Sequence, residues 1–135
     1  MATTTRSESV VVASNDAVVM VRQRVREFAV DARLSLVDQT KLVTAASELA
    51  RNMVVYGGGG TVLLEQLDGN GRPGVRVTFA DQGPGIADIE QAMRDGFTSG
   101  GGLGLGLGGS KRLVHEFDLQ SEPGKGTTIA ITRWK

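Results

Sequence analysis

The sequence predicts a two-layer α/β sandwich of the α+β kind, a mixed, mostly antiparallel sheet with helices on one face. Three observations carry this. Two long stretches repeat apolar residues with the helical period, one directly after the other. Short β-branched runs flank them, and the last four runs pair across tight-turn sequences, the mark of antiparallel hairpins. The order that results is β-α-α-β-β-α-β-β, with a short helix ahead of the last long one. Such an order lays helices against one side of a sheet.

Residues 1–7 are polar and are expected to be a flexible N-terminus, leaving 8–135 as a single domain. Glu8–Ala13 is β-branched and reads as the first strand. Ser14, Asn15 and Asp16 offer N-caps to a helix that buries Val18, Val21, Val25, Phe28, Ala29 and Ala32. Ser35 or Asp38 starts a second helix, which runs to about Tyr56. Leu36, Val43, Ala46, Leu49, Ala50 and Met53 share its apolar arc, and Gly57 to Gly60 stop it. Thr61–Leu67 and Gly74–Ala80 form a hairpin across the turn DGNGRP. Asp81–Ile86 is a loop and Ala87–Arg94 a short helix. Leu103–Glu116 is read as a third long helix, and Phe117–Ser121 and Thr127–Trp134 as closing strands around EPGKG.

Composition narrows the function. Fifteen basic residues balance fifteen acidic ones, which argues against nucleic acid or a membrane surface as the main partner. Cysteine is absent, so disulfides, thiolate nucleophiles and cysteine-held metals are excluded, and the single histidine, His115, cannot build a histidine metal cluster. The polar start MATTTRSES has no apolar signal core, so a cytoplasmic protein is expected.

Four places could carry chemistry. Glu48 and Asn52 stand one helical turn apart, on a stripe with Lys41 and Ala45 that lies off the apolar arc. A carboxylate there can accept a proton from an attacking hydroxyl, and a carboxamide can offer oxygen to a hard cation such as Mg²⁺. Read alone, the pair is more simply a solvated helix face. Asp81 ends a strand, where its carboxylate can accept a hydrogen bond from the exocyclic amine of a purine. Gly83 and Gly85 would let the backbone pass close to the base, and Pro84 would stiffen the turn. An ordinary strand-to-helix turn has the same residues.

The third place is glycine-dense: eight of the fourteen residues from Gly96 to Gly109 are glycine. Gly104, Gly106 and Gly109 spell G-x-G-x-x-G, but no strand precedes them, as a dinucleotide-binding fold requires. A P-loop fails too, because Ser110 stands between the last glycine and Lys111. Backbone N–H groups at a helix start remain able to hold phosphates. A flexible linker is disfavoured by the interleaved Leu103, Leu105 and Leu107. The fourth place is Gly124-Lys125-Gly126-Thr127, by default a hairpin turn, with Thr127 as a candidate polar contact to a base.

In order, these pieces resemble the GHKL (Bergerat-fold) ATP-binding family. Glu48–Asn52 resembles its N box, Asp81–Gly85 its first glycine box, Gly102–Gly109 its second and Gly124–Thr127 its third. The strings SELARN (Ser47–Asn52), ADQGPGI (Ala80–Ile86), DGF (Asp95–Phe97) and KRL (Lys111–Leu113), with the EF that follows, are similar to the RsbT-like branch of serine/threonine kinases, kin of the anti-sigma kinases. The lid run GGGLGLGLGGS departs from that branch, where an Ala or Pro interrupts it, and is expected to make a looser lid.

The resemblance implies a Bergerat fold and the following roles. Glu48 is the catalytic base and Asn52 holds Mg²⁺ bridging the ATP phosphates. Asp81 binds the adenine amine, and Gly83 and Gly85 line its pocket. Gly102, Gly104, Gly106 and Gly108 belong to the lid, and Thr127 supports the adenine site. The implied activity is ATP-dependent phosphorylation of serine on STAS-domain partners resembling RsbS or RsbR, in a partner-switching stress or signalling pathway. An RsbU-like phosphatase is a further partner, and a homodimer is compatible with this reading. Three alternatives stay open: an ATP-bound switch whose output is whom it holds, an anti-sigma factor that sequesters a sigma subunit, and a plain ATP hydrolase. At 135 residues the chain is expected to lack both the phosphoacceptor helix of sensor histidine kinases and the second domain of gyrase- and Hsp90-like members.

Overall fold

The computed structural model describes residues 2–86, 88–93 and 106–135. Five strands form one sheet: β1 (Ala2–Val12), β2 (Gly60–Gly69), β3 (Arg72–Asp81), β4 (Glu116–Ser121) and β5 (Thr127–Trp134). Their order is β1-β2-β3-β5-β4, and every ladder is antiparallel, so none of the parallel pairing of a mixed sheet occurs among the described strands. The helices are α1 (Asn15–Asp31), α2 (Leu36–Gly57), the single turn α3 (Ile89–Ala92) and α4 (Gly106–Arg112).

Strand alternation explains the layering. Val10 pairs with Val62, Val62 with Phe79, and Phe79 with Ile129, so one row of apolar side chains crosses the sheet. Leu64, Val77 and Ile131 form the next row. Both rows are buried beneath α1 and α2. The alternate residues face away from the helices, and Val11 among them is 73% exposed. All six residues at the helical spacing are buried as expected, Val18 to Ala29 on α1 and Ala32 just past its end.

Helix ends follow local chemistry. The Ser35 hydroxyl caps α2 by accepting from the Asp38 N–H at 3.1 Å. Gly58, left-handed at φ 75°, ends it, and the Gly59 N–H closes back on the Met53 carbonyl at 3.0 Å. In the β2–β3 hairpin, Asn70 (φ 56°) and Gly71 (φ 84°) make the two-residue turn, whose mirror-type twist suits the strands. The Trp134 ring lies across Gly69 and Gly74; a Cβ on Gly74 would stand 2.5 Å from it.

Three expectations are corrected. Residues 2–7 are not loose: they extend β1, with Ala2 opposite Gly69, because the long β2 offers a full ladder. Leu36 is 70% exposed, since the first turn of α2 overhangs the core. The last long helix, expected over Leu103–Glu116, ends at Arg112, and its first residues 103–105 lie outside the described ones. The pull of the sheet explains the early end. The His115 N–H bonds the Thr132 carbonyl and β4 begins at Glu116. Arg133 Nη1 meets the freed Leu113 carbonyl at 3.1 Å while its Nε and Nη2 hold Asp38 Oδ1 at 3.0 and 2.6 Å. One side chain thereby ties the start of α2, the end of α4 and β5.

Candidate functional site

At one end of the sheet, where α2 runs out and β3 stops, the elements leave a cleft of ≈ 420 Å³. One wall is the last two turns of α2: Leu49, Asn52, Met53, Tyr56 and Gly57. The floor is the end of β3 with Phe79 and Asp81, and the start of β5 with Thr127 and Ile129. The loop after β3 adds Pro84, Gly85 and Ile86, and the start of α4 adds Gly106 and Leu107. The cleft is apolar with a few polar groups aimed inward, the usual make-up of a small-molecule site.

Asp81 stands directly opposite Thr127 in the β3–β5 ladder, so the two side chains project together from one face. Asp81 Oδ1 accepts the Gly83 N–H at 2.9 Å, which fixes the carboxylate. Glycines make this corner possible. A Cβ on Gly57 would lie 2.5 Å from the Asp81 carboxyl carbon, and one on Gly83 would lie 2.6 Å from the Gly57 Cα. Gly85 (φ 77°) and Gly126 (φ 84°) are both left-handed, and each has a carbonyl oxygen 2.1 Å from where a Cβ would sit. The Gly124 N–H donates to the Pro84 carbonyl at 2.7 Å, so the two glycine-bearing turns are laced together.

Glu48 is 8% exposed and both its oxygens are engaged. Oε2 accepts from Arg51 Nη2 at 3.1 Å and Oε1 from the Gly106 N–H at 3.3 Å. The stripe of Lys41, Ala45, Glu48 and Asn52 is therefore not a solvated helix face: Ala45 and Glu48 are buried, and α4 packs on α2 beside them. Glu48 itself sits just behind the cleft lining and Asn52 within it.

Of the residues singled out in sequence, the structure brings Asn52, Asp81, Gly85, Gly106 and Thr127 to one cleft. Gly83 supports it through Gly57 without lining it. Gly108 is buried within α4 and does not line it either. Gly102 and Gly104 lie outside the described residues. Met53, Tyr56 and Gly57 line the cleft as well, and no motif in the sequence marks them. Helical spacing from Leu49 and Asn52 carries the signal for Met53 and Tyr56, while nothing local marks Gly57 as the neighbour of Asp81. Nothing local marks Ser121 either, because its place depends on the β4–β5 register.

Residues 37–135 match the histidine kinase-, DNA gyrase B- and HSP90-like ATPase family. The chain belongs to this family, the GHKL ATPases. Its sheet and helices are the Bergerat fold of those ATPases. This GHKL domain is 46% identical over 117 residues to the serine/threonine-protein kinase RsbT of Bacillus subtilis, covering 87% of this chain and 88% of that one. It is 31% identical over 102 residues to the anti-sigma F factor of a Geobacillus species, covering 70% of this chain and 68% of that one. It also superposes, with a TM-score of 0.68 and 24% identity, on a crystal structure of the RsbU and RsbW domains of a Mycobacterium tuberculosis protein. That match covers 97% of this chain and 33% of the larger one. No described helix is long and apolar enough to cross a membrane.

Proposed function

We propose that this GHKL domain is an ATP-dependent serine/threonine protein kinase that acts as a partner switch. It passes the γ-phosphoryl group of ATP to a serine of a STAS-domain partner in the cytoplasm, and an RsbU-like phosphatase is a second partner. The observation that carries the reading is the convergence of two pairs on one cleft. Asp81 and Thr127 stand at its sheet end, and Asn52 lines its helical wall with Glu48 directly behind. The 46% identity to the RsbT kinase supports the reading more strongly than the 31% identity to an anti-sigma F factor supports direct sigma binding.

The roles follow from the chemistry of each group. Asp81, an acceptor only, takes a hydrogen bond from the adenine amine. The apolar Met53, Ile86 and Ile129 flank the base, and Gly85 lets the backbone approach it. Gly106, at the start of α4 and in the cleft lining, belongs to the cover over the phosphates. Glu48 is the base for the substrate hydroxyl, and Arg51 and the Gly106 N–H hold its carboxylate in place.

The donor set suits Mg²⁺. No cluster of three or more acidic, His or Cys groups exists among the described residues, and Mg²⁺ typically takes one or two protein oxygens and fills the rest of its sphere with phosphates and water. Asn52 would supply such an oxygen. The ion, when bound, neutralises charge on the phosphates; the chain's own task is to position the hydroxyl and exclude water.

The test is transfer itself. Protein incubated with labelled ATP, Mg²⁺ and a STAS-domain partner should yield phosphoserine on the partner. ATP binding without transfer would remove the kinase claim. Retention of a sigma subunit rather than the STAS protein in a pull-down would favour the anti-sigma reading.

A further inference from the structure

Ser121 lies outside the cleft lining, yet its hydroxyl touches three groups that build the sheet end of the cleft. The Ile86 N–H donates to Ser121 Oγ at 2.8 Å. Ser121 Oγ lies 3.1 Å from the Gly126 carbonyl oxygen and 2.8 Å from Thr127 Oγ1. A serine hydroxyl has one proton and two lone pairs. The Gly126 carbonyl can only accept, so the Ser121 proton goes there. The Ile86 N–H takes one lone pair. The contact to Thr127 is then made only if the Thr127 hydroxyl donates to the second lone pair. This is the one allocation that satisfies all three contacts.

The consequence falls on Thr127, which faces the cleft beside Asp81. With its proton committed to Ser121, Thr127 Oγ1 turns only lone pairs toward a ligand. Asp81 is likewise an acceptor. We infer that Ser121 is a positioning residue that fixes the polarity of Thr127, so that two acceptors, Asp81 and Thr127, together select a ligand carrying an exocyclic –NH₂ over one carrying a carbonyl at the same place. The inference rests on the nucleotide reading of the cleft and adds its selectivity. A 6-amino purine supplies two N–H donors to this pair, whereas a 6-oxo purine sets oxygen against oxygen. Releasing the Thr127 proton would relieve that clash, because a free hydroxyl can rotate and donate to the carbonyl.

The probe is the pair ATP and inosine triphosphate, which exchange an amine for a carbonyl at the purine 6 position. Titration of the full chain should show ATP preferred by at least about tenfold. Ser121→Ala should lower that preference threefold or more, by weakening ATP and improving inosine triphosphate relative to it. Ser121→Thr, which keeps a hydroxyl, should restore it. In a Thr127→Val background, Ser121→Ala should no longer change the ratio, since the group it polarises is gone. Should the alanine variant not fold, Ser121→Cys keeps the shape with a much weaker donor and is expected to lower the ratio in the same sense. A purely structural serine would weaken both nucleotides equally and leave the ratio fixed, which overturns the inference while ATP binding stands. A wild-type ratio near one also overturns it. Failure of wild type to bind either nucleotide would refute the nucleotide reading of the cleft and the inference with it.

Discussion

Glu48 shows how much one carboxylate depends on its neighbours. It is buried beside an arginine and a backbone N–H, so its ionised form has two hydrogen bonds in place of water. Glu48→Gln keeps the shape but cannot accept the substrate proton. The variant should lose about 100-fold or more in turnover, the usual worth of a general base, while its ATP affinity stays within about threefold. Phosphoserine formation and ATP titration, measured side by side, check this. Gly126 makes a second case. At φ 84°, with the Asp81 carbonyl oxygen 2.1 Å from where a Cβ would stand, it tolerates no side chain. Gly126→Ala should cost at least about 1–2 kcal/mol through the left-handed backbone alone. It should weaken ATP binding as well, because relief of the clash must move Asp81 or Thr127. A chemical denaturation midpoint and an ATP titration read the two effects.

Asp38 and Arg133 matter for what they join. The pair is largely buried and binds the first turn of α2 to β5, while Arg133 also holds the end of α4. The Arg133 hydrogen bonds, aided by the Ser35 hydroxyl, hold the Asp38 carboxyl below the usual carboxylate range against the opposing effect of desolvation. A lowered pKa in the folded state means that the carboxylate adds stability above its unfolded pKa of about 3.9 and loses it as the pH falls through the lower folded value. Asp38→Asn should therefore cost about 1–3 kcal/mol at neutral pH and progressively less as the pH falls below the unfolded value, so the two stability curves converge in acid. Urea midpoints across that range test the convergence. The elements themselves were mostly legible in the sequence. The five buried positions of α1 and the hairpin at Asn70-Gly71 follow from period and turn chemistry, which are local. The length of β1 and the early end of α4 were not legible. Both are set by partners far along the chain, β2 for one, and β5 with Arg133 for the other.

At the scale of the whole molecule, the cleft forms where α2 ends at Gly57, β3 ends at Asp81 and β5 begins at Thr127. A ligand there bridges the helical layer and the sheet, so binding should stabilise the entire fold. Mg²⁺ and ATP at about 100 times the dissociation constant should add about 2.7 kcal/mol and raise the melting temperature accordingly. Asp81→Asn should abolish most of that rise, because the carboxamide can turn a donor toward the adenine amine. Asn52→Ala should reduce the part that depends on Mg²⁺. A thermal shift equal to wild type in both variants would remove Asp81 and Asn52 from the binding roles given to them.

The sequence by itself determined the architecture and the order of the four short motifs, because periodicity, turn residues and motif spacing are written locally. It also marked Glu48, Asn52, Asp81 and Thr127. What only the tertiary structure decided is how these act on one another. Glu48 reads in sequence as a solvated residue and is buried because α4, 58 positions later, brings the Gly106 N–H to it. Asp81 and Thr127 become one pair only through the β3–β5 register, and Ser121 reaches Thr127 only through the β4–β5 register. Register and packing are properties of the assembled sheet, and no single stretch of the chain encodes them.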